Sequence, residues 1–166
     1  MNITFAGNKI TLLGKQVEVG QKAPAFKATK NDLSDFNSED LKGKVVVYSV
    51  APSLDTSVCA IQAKKFSHEA LELSDDVVIV TITEDLPFAQ KRFCANEDIE
   101  NLEMVSDYKE REFGEKYGFL IDELKLLTRG IVVVDKEGII TYVEYVQEVT
   151  NEVNFDAALE AVKKSL

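Results

Sequence analysis

Two uninterrupted runs of mostly β-branched residues constrain the fold more than any other feature of the chain. They are Val45-Val46-Val47-Tyr48-Ser49-Val50 and Val77-Val78-Ile79-Val80-Thr81-Ile82-Thr83. Runs without polar alternation are typical of strands buried on both faces of a mostly parallel sheet. A helical pattern follows each run, over residues 57–74 and 88–95, with Pro87 at the first helical position of the second. The chain therefore contains repeated strand–helix units.

Antiparallel elements are predicted at both ends of the chain. Residues 3–13 alternate apolar and polar side chains around a Gly-Asn turn, which indicates a β-hairpin. Residues 130–135 and 139–146 form a second hairpin pattern, and residues 154–165 form an amphipathic terminal helix. We therefore expect an α/β protein of thioredoxin-like fold, with a central mixed β-sheet flanked by helices and an N-terminal β-hairpin extension.

Shorter elements are predicted between these units. Residues 25–29 and 102–105 are strand candidates, and residues 38–41 indicate a single capped helical turn. A helix is predicted over residues 108–117, with Gly118 ending it. Since the chain has 166 residues, of which 45% are hydrophobic, we expect one domain over residues 1–166.

Composition excludes several classes of function. A net charge of −10 argues against a nucleic-acid or acidic-membrane partner, because phosphates need Lys and Arg to neutralise them. Without a signal-like start or a run of about 18 apolar residues, we expect a cytoplasmic protein. One His and two Cys make a zinc site improbable, so we expect no metal and no cofactor. Two cysteines in a reducing compartment are ordinarily inert thiols, and less often redox-active ones.

The loop between the first buried strand and its helix places a thiol where it can react. Cys59 falls in the first helical turn, where unpaired N–H groups and the positive end of the helix dipole favour thiolate, the nucleophilic form. It lies on the inward apolar stripe of the helix, with Ala63 and Phe66. Thr56 stands at the spacing of a helix N-cap, from which its hydroxyl can also reach a ligand over the thiol. Pro52 taken alone only ends the strand.

The Pro-x-x-x-Thr-x-x-Cys pattern of Pro52, Thr56 and Cys59 resembles the peroxidatic loop of peroxiredoxins. Further segments resemble the thiol peroxidase subfamily of atypical 2-Cys peroxiredoxins: Asp85-Leu86-Pro87-Phe88-Ala89-Gln90-Lys91-Arg92-Phe93-Cys94, Leu126-Leu127-Thr128-Arg129 and Tyr142-Val143-Glu144-Tyr145-Val146. The resemblance covers nearly the whole chain. One departure is Gly130, where family members usually carry Ala or another side chain.

The resemblance implies a reaction and a role for each motif residue. Cys59 is the peroxidatic cysteine that becomes a sulfenic acid, and Cys94 resolves it as an intramolecular Cys59–Cys94 disulfide. Thr56 and Arg129 bind the peroxide oxygens, while Pro52 shields the thiolate from water. The resemblance further implies hydrogen peroxide and alkyl hydroperoxides as substrates, thioredoxin as reductant, a role in antioxidant defence, and a homodimer with its interface near the active-site loop.

Physical reasoning adds expectations of its own. A guanidinium at Arg129 would stabilise charge on the leaving oxygen, although without the Cys59 loop we would interpret it as an ordinary surface arginine. A disulfide needs Cα atoms within about 7 Å. We therefore predict that the first turn of the Cys59 helix and the Cys94 helix partly unwind when the bond forms. Leu54, Phe88 and Phe93 are predicted apolar neighbours of the site that suit an alkyl hydroperoxide, or else core residues.

Alternative functions are less well supported by the residues. A thioredoxin-type reductase needs Cys-x-x-Cys, but Gln62 takes the second position. A cysteine hydrolase needs a His beside the thiol, and His68 lies about 13.5 Å along the same helix, which predicts a solvated residue. A non-enzymatic thioredoxin-like binding module with two buried thiols is the alternative from another class.

Overall fold

A mixed β-sheet forms the centre of the computed structural model, which describes residues 2–97 and 103–166. The strands are β1 (Ile3–Phe5), β2 (Asn8–Ile10), β3 (Lys27–Lys30), β4 (Asp35–Asn37), β5 (Val45–Val50), β6 (Val77–Thr83), β7 (Glu103–Ser106), β8 (Gly130–Val134) and β9 (Ile140–Tyr145). The helices are α1 (Ser57–Leu73), α2 (Pro87–Glu97), α3 (Glu112–Tyr117) and α4 (Phe155–Ser165), with a 3₁₀ turn at Ser38–Leu41.

The strand order places the two β-branched runs in the middle of the sheet. Seven strands follow one another as β4-β3-β7-β6-β5-β8-β9, and β1 pairs with β2 in a separate hairpin. The β5–β6 and β6–β7 pairs are parallel, whereas β8 runs antiparallel to both β5 and β9. The predicted mixed sheet with an N-terminal hairpin is confirmed.

Helices cover both faces of the sheet. Val45 and Val47 of β5 belong to a core that includes Phe66 of α1 and Phe155 of α4. The alternate residues of β5 face a second core that contains α3, because successive strand residues point to opposite faces. Every residue of β5 is buried, which is why this strand shows no polar alternation.

Several predicted boundaries at the edges of the fold are wrong. The hairpin turn lies at Ala6-Gly7, with φ of 50° and 83°, rather than at Gly7-Asn8. The first short strand is Lys27–Lys30 rather than 25–29, and β4 was not predicted. The 3₁₀ turn at Ser38–Leu41 has no side-chain cap. Of the strand predicted over 102–105, Leu102 lies outside the described residues, and the strand itself is Glu103–Ser106.

The helix predicted over residues 108–117 starts four residues late, at Glu112. Arg111 takes a left-handed conformation with φ of 54°, which interrupts helical backbone just before that point. The Asp107 carboxylate then accepts the free N–H groups of Phe113 and Gly114 at 3.0 and 2.8 Å. Gly118 ends α3 with φ of 71°, as the sequence predicts.

Candidate active site

The loop from β5 to α1 carries the first part of the site. Pro52 is buried where the strand ends, and Thr56 is the N-cap of α1. The Thr56 hydroxyl oxygen accepts a hydrogen bond from the Cys59 N–H at 3.3 Å, and the hydroxyl donates to the Ser53 carbonyl at 3.1 Å. Thr56 therefore links the loop to the helix turn that bears the thiol, and the helix-cap interpretation is confirmed.

Cys59 lies in the first turn of α1 and is almost fully enclosed. Its residue surface is 1% exposed and its thiol is free. On the same helix, Ala63 and Phe66 are also buried, as the predicted inward stripe requires. His68 is solvated and is not positioned to act on the thiol, since its side chain is 73% exposed.

Arg129 is a buried cation held by neutral oxygens. It precedes β8 and is 2% exposed, so its interpretation as an ordinary surface arginine is wrong. Its Nε donates to the Val149 carbonyl at 2.7 Å, and its Nη1 donates to Gln62 Oε1 at 2.9 Å. Within residues 2–97 and 103–166, no carboxylate forms an ion pair with the guanidinium.

Gln62 connects this guanidinium to the helix of Cys59. The two residues are three positions apart on α1, and positions at this spacing are neighbours on a helix surface. The Gln62 Nε2 also donates to Ser49 Oγ at 2.7 Å and to the Val50 carbonyl at 3.3 Å. Both the nitrogen and the oxygen of the amide therefore have hydrogen-bond partners, which fixes the orientation of the side chain. The cation therefore contacts a residue that lies about one helical turn along α1 from Cys59.

Cys94 lies on the neighbouring helix, α2, and packs against apolar side chains. Its thiol lies 3.6 Å from Met104 Sδ, and the residue packs with Phe93 against Leu54, Ala63 and Met104. Burial raises the pKa of the Cys94 thiol. Cys94 is thus a partly covered thiol whose burial disfavours the thiolate.

A surface groove of about 410 Å³ separates the Cys59 loop from α2. Leu54 and Thr56 line one wall, and Phe93 and Arg92 line the other. Phe88 is not one of its lining residues and is 66% exposed. The structure thus brings Leu54 and Phe93 to the groove but leaves Phe88 at the surface, because the inward residues of α2 are Pro87 and Gln90.

Gly130 fits its position for a steric reason. A Cβ atom at this residue would lie 2.0 Å from the Glu144 carbonyl oxygen and 2.8 Å from the Phe119 ring. The close β8–β9 contact beside Arg129 therefore needs a residue without a side chain.

Comparison with known proteins decides the family. The Redoxin family model matches residues 18–159. The chain belongs to the Redoxin family. It is 48% identical to a thiol peroxidase of Halalkalibacterium halodurans over 165 residues, which cover 99% of each chain. It is 45% identical to a thiol peroxidase of Bacillus subtilis over 161 residues, covering 97% of this chain and 96% of the relative.

A solved structure supports the same family assignment for this redoxin. A peroxiredoxin-like protein from Aquifex aeolicus superposes with a TM-score of 0.92 at 37% identity, covering 99% of this chain and 97% of the other. The thioredoxin-like fold and the prediction of a thiol-dependent antioxidant peroxidase of the peroxiredoxin type are confirmed. The non-enzymatic binding module is wrong. Separately, no helix in the described part of the chain is long and apolar enough to cross a membrane.

Two residues that the sequence did not single out also contact the site. Gln62 positions the guanidinium, and the Asp85 carboxylate binds the Cys59 loop at Ser53 and Leu54. A polar residue on the inward stripe of α1 is a signal that could have indicated Gln62. Asp85, at the end of a buried strand and before a helix-starting proline, carries no comparable signal.

Proposed function

We propose that this redoxin reduces hydrogen peroxide and alkyl hydroperoxides through Cys59, with Cys94 as the resolving cysteine. The Cys59 thiolate attacks one peroxide oxygen, the O–O bond breaks, and the other oxygen leaves as an alcohol or water after taking a proton. The product is a sulfenic acid on Cys59. The Cys94 sulfur then attacks the Cys59 sulfur, water leaves, and a Cys59–Cys94 disulfide remains.

The observation that carries this proposal is the buried, carboxylate-free Arg129 beside the helix turn of Cys59. A buried cation without an anionic partner is costly, and it favours negative charge that arrives next to it. Both the anionic sulfur and the leaving oxygen supply such charge during peroxide cleavage. Thr56 is proposed to turn its hydroxyl from the Ser53 carbonyl to the peroxide, and Pro52, which is buried in the loop before α1, to keep water from the sulfur.

The second step requires movement. Cys59 is enclosed in α1 and Cys94 packs in α2, and both thiols are free. We propose that the first turn of α1 and the Cys94 segment partly unwind when the disulfide forms. Crystals of reduced and oxidised protein test this proposal, and it fails if both segments keep their helical conformation in the disulfide form.

Mass spectrometry after a single peroxide pulse tests the assignment of the cysteines. One equivalent of cumene hydroperoxide is added, free thiols are alkylated, and the adducts are counted. We expect both thiols to be lost in the wild-type protein, and a Cys94→Ser variant to stop at Cys59 sulfenic acid. If both thiols can still be alkylated, the proposal fails.

The same pulse, quenched over time, tests the two supporting side chains. Thr56→Val and Arg129→Ala should each slow the loss of the Cys59 thiol by about 10-fold or more, since each removes a donor to a peroxide oxygen. A rate equal to that of the wild-type protein removes the substituted residue from the site.

The physiological reductant and the assembly follow from the family. We propose that thioredoxin reduces the disulfide, that no nucleic acid or membrane is bound, and that the chain forms a homodimer near the active-site loop. Ile61, Leu86 and Phe88 support this location, since all are large, exposed apolar residues on or beside α1 and α2. Sedimentation velocity of the reduced protein tests the dimer. A cytoplasmic location and a single domain over residues 1–166 stay predictions.

A further inference from the structure

We propose that Asp85 is a positioning residue that holds the Cys59 loop in its closed, peroxide-reactive form, an inference that rests on the proposed function of Cys59. Ser53 Oγ donates to Asp85 Oδ1 at 2.8 Å, and the Leu54 N–H donates to Asp85 Oδ2 at 2.8 Å. One carboxylate thus binds two successive residues of the loop. Hydrogen bonds to a charged acceptor are about twice as strong as neutral ones.

The carboxylate is itself rigidly held from the sheet. Thr83 Oγ1 donates to Asp85 Oδ2 at 2.9 Å and accepts from the Asp85 N–H at 3.1 Å. The Ser106 hydroxyl donates to the Asp85 carbonyl, which ties the residue to the end of β7. Gln90 donates from α2 to Thr83 Oγ1 at 3.1 Å. Through Asp85, the Cys59 loop is therefore held in a fixed position relative to the ends of β6 and β7.

The location of Asp85 links both cysteine segments. It lies just before Pro87, the first residue of the helix that carries Cys94, while its carboxylate binds the loop that leads to Cys59. The carboxylate accepts a hydrogen bond from the backbone N–H of Leu54. The side chain of Leu54 packs in the same apolar cluster as Cys94. Opening the loop thus requires release of Asp85 and also uncovers Cys94.

Opposite effects on the two chemical steps follow from this arrangement. Oxidation of Cys59 needs the closed loop, because Thr56 and Arg129 act on a peroxide only with the first turn of α1 in place. Disulfide formation needs the open loop. Weakening the Asp85 contacts should therefore slow the first step and accelerate the second, whereas general destabilisation of the site would not separate them in this way.

Asp85→Asn is the decisive variant, since it keeps the side-chain size but removes the charge and turns one acceptor into a donor. Ser53→Ala is a milder second variant that removes one of the two loop contacts and keeps the test valid if Asp85→Asn folds poorly. Asp55→Asn is the matched control, because Asp55 is an exposed carboxylate of the same loop. The control makes the same change of charge near Cys59.

Two rates are measured by rapid quench and mass spectrometry: loss of the Cys59 thiol after peroxide, and conversion of the sulfenic acid to disulfide. For Asp85→Asn we expect the second step to be about 10-fold faster, which corresponds to a change of about 1.4 kcal/mol in the closed–open equilibrium, and the first step to be slower by a smaller factor, because the closed form still predominates. Asp55→Asn should match the wild-type protein. Unchanged rates, parallel losses in both steps, or the same effect in Asp55→Asn overturn the proposal.

A peroxide-free measurement separates this proposal from the proposed function. In the reduced protein, iodoacetamide should alkylate Cys59 about 10-fold faster in Asp85→Asn than in the wild-type protein, because the open loop exposes a thiol that is otherwise buried. If Cys59 does not react with peroxide but this acceleration is found, the proposed function fails and the role of Asp85 stands. If Cys59 reacts with peroxide but alkylation is unchanged, the role of Asp85 fails.

Discussion

Replacing Gln62 by Met should lower both the stability of the protein and the rate at which Cys59 reacts with peroxide. Met has nearly the same length but cannot accept the Arg129 Nη1 hydrogen bond of 2.9 Å, nor donate to Ser49 Oγ at 2.7 Å. The guanidinium then keeps its 2.7 Å bond to the Val149 carbonyl and loses its link to α1. The cation would therefore no longer be fixed relative to the thiol.

The magnitude follows from the hydrogen bonds that are lost. A buried charged donor left without its acceptor costs about 1.5–3 kcal/mol, and a lost neutral bond costs about 0.5–1.5 kcal/mol. We therefore expect Gln62→Met to lower the free energy of unfolding by about 2–4 kcal/mol. A Tm decrease of about 5–15 °C corresponds to this loss for a chain of this size. Because the guanidinium stays tethered at Val149, the oxidation rate should fall by about 10- to 100-fold rather than more.

Ser49→Ala is the matched control, since it removes one of the two acceptors of the Gln62 amide N–H groups and leaves the Arg129 contact in place. It should cost about 1 kcal/mol of stability and change the oxidation rate by less than twofold. Because the chain has no Trp for fluorescence, the stabilities are measured by urea unfolding followed by circular dichroism. The oxidation rates are measured by quenched alkylation. If Gln62→Met slows oxidation no more than Ser49→Ala does, Gln62 does not position Arg129.

Two further predictions concern stability. Burial and the nearby Asp107 carboxylate raise the pKa of Glu84 from 4.5 to about 8. The unfolded chain therefore releases this proton at lower pH than the folded protein, so the contribution of Glu84 to stability is greatest below pH 4.5 and is lost as pH rises toward 8. Glu84→Gln should flatten the decline in urea midpoint between pH 5 and pH 8, and an unchanged decline would contradict this assignment. Gly130→Ala should cost about 2 kcal/mol or more by thermal unfolding, because its Cβ meets the Glu144 carbonyl at 2.0 Å; a Tm equal to the wild-type value would show that β9 can move aside.

The centre of the fold could be predicted because local pattern and burial agree there. The run of β5 is β-branched and every residue is buried, so composition alone indicates a central strand. At the sheet edge this agreement is lost. Strand β4, with only Phe36 buried among three residues, has too few apolar positions to be distinguished from a turn. The late start of α3 depends on Asp107, whose hydrogen bonds to the helix start no local pattern encodes.

The site likewise contains local contacts that the sequence predicts and contacts between distant residues that it does not. The cap of Thr56 on Cys59 spans three residues and follows from helix geometry. Contacts between distant parts of the chain do not follow from it, such as Arg129 with Gln62 and Asp85 with Leu54. Family resemblance indicated Arg129 but not its partners, since a motif conveys which residues recur and not which atoms they contact. Phe88 shows the limit of apolar character as a signal, because this residue of a site motif faces solvent and its interpretation as a core residue is wrong.

In the proposed mechanism, one loop serves both chemical steps. Cys59 is protected by its place in α1, and Cys94 by its packing against Leu54 and Met104. Leu54 belongs to the loop that must open, so the motion that brings Cys59 out of its helix also removes part of the cover from Cys94. The cap at Thr56 costs only about 1 kcal/mol to break. On the role proposed for Asp85, its two contacts with the loop add to the barrier to opening, and their strength influences how long the sulfenic acid waits for its resolving thiol.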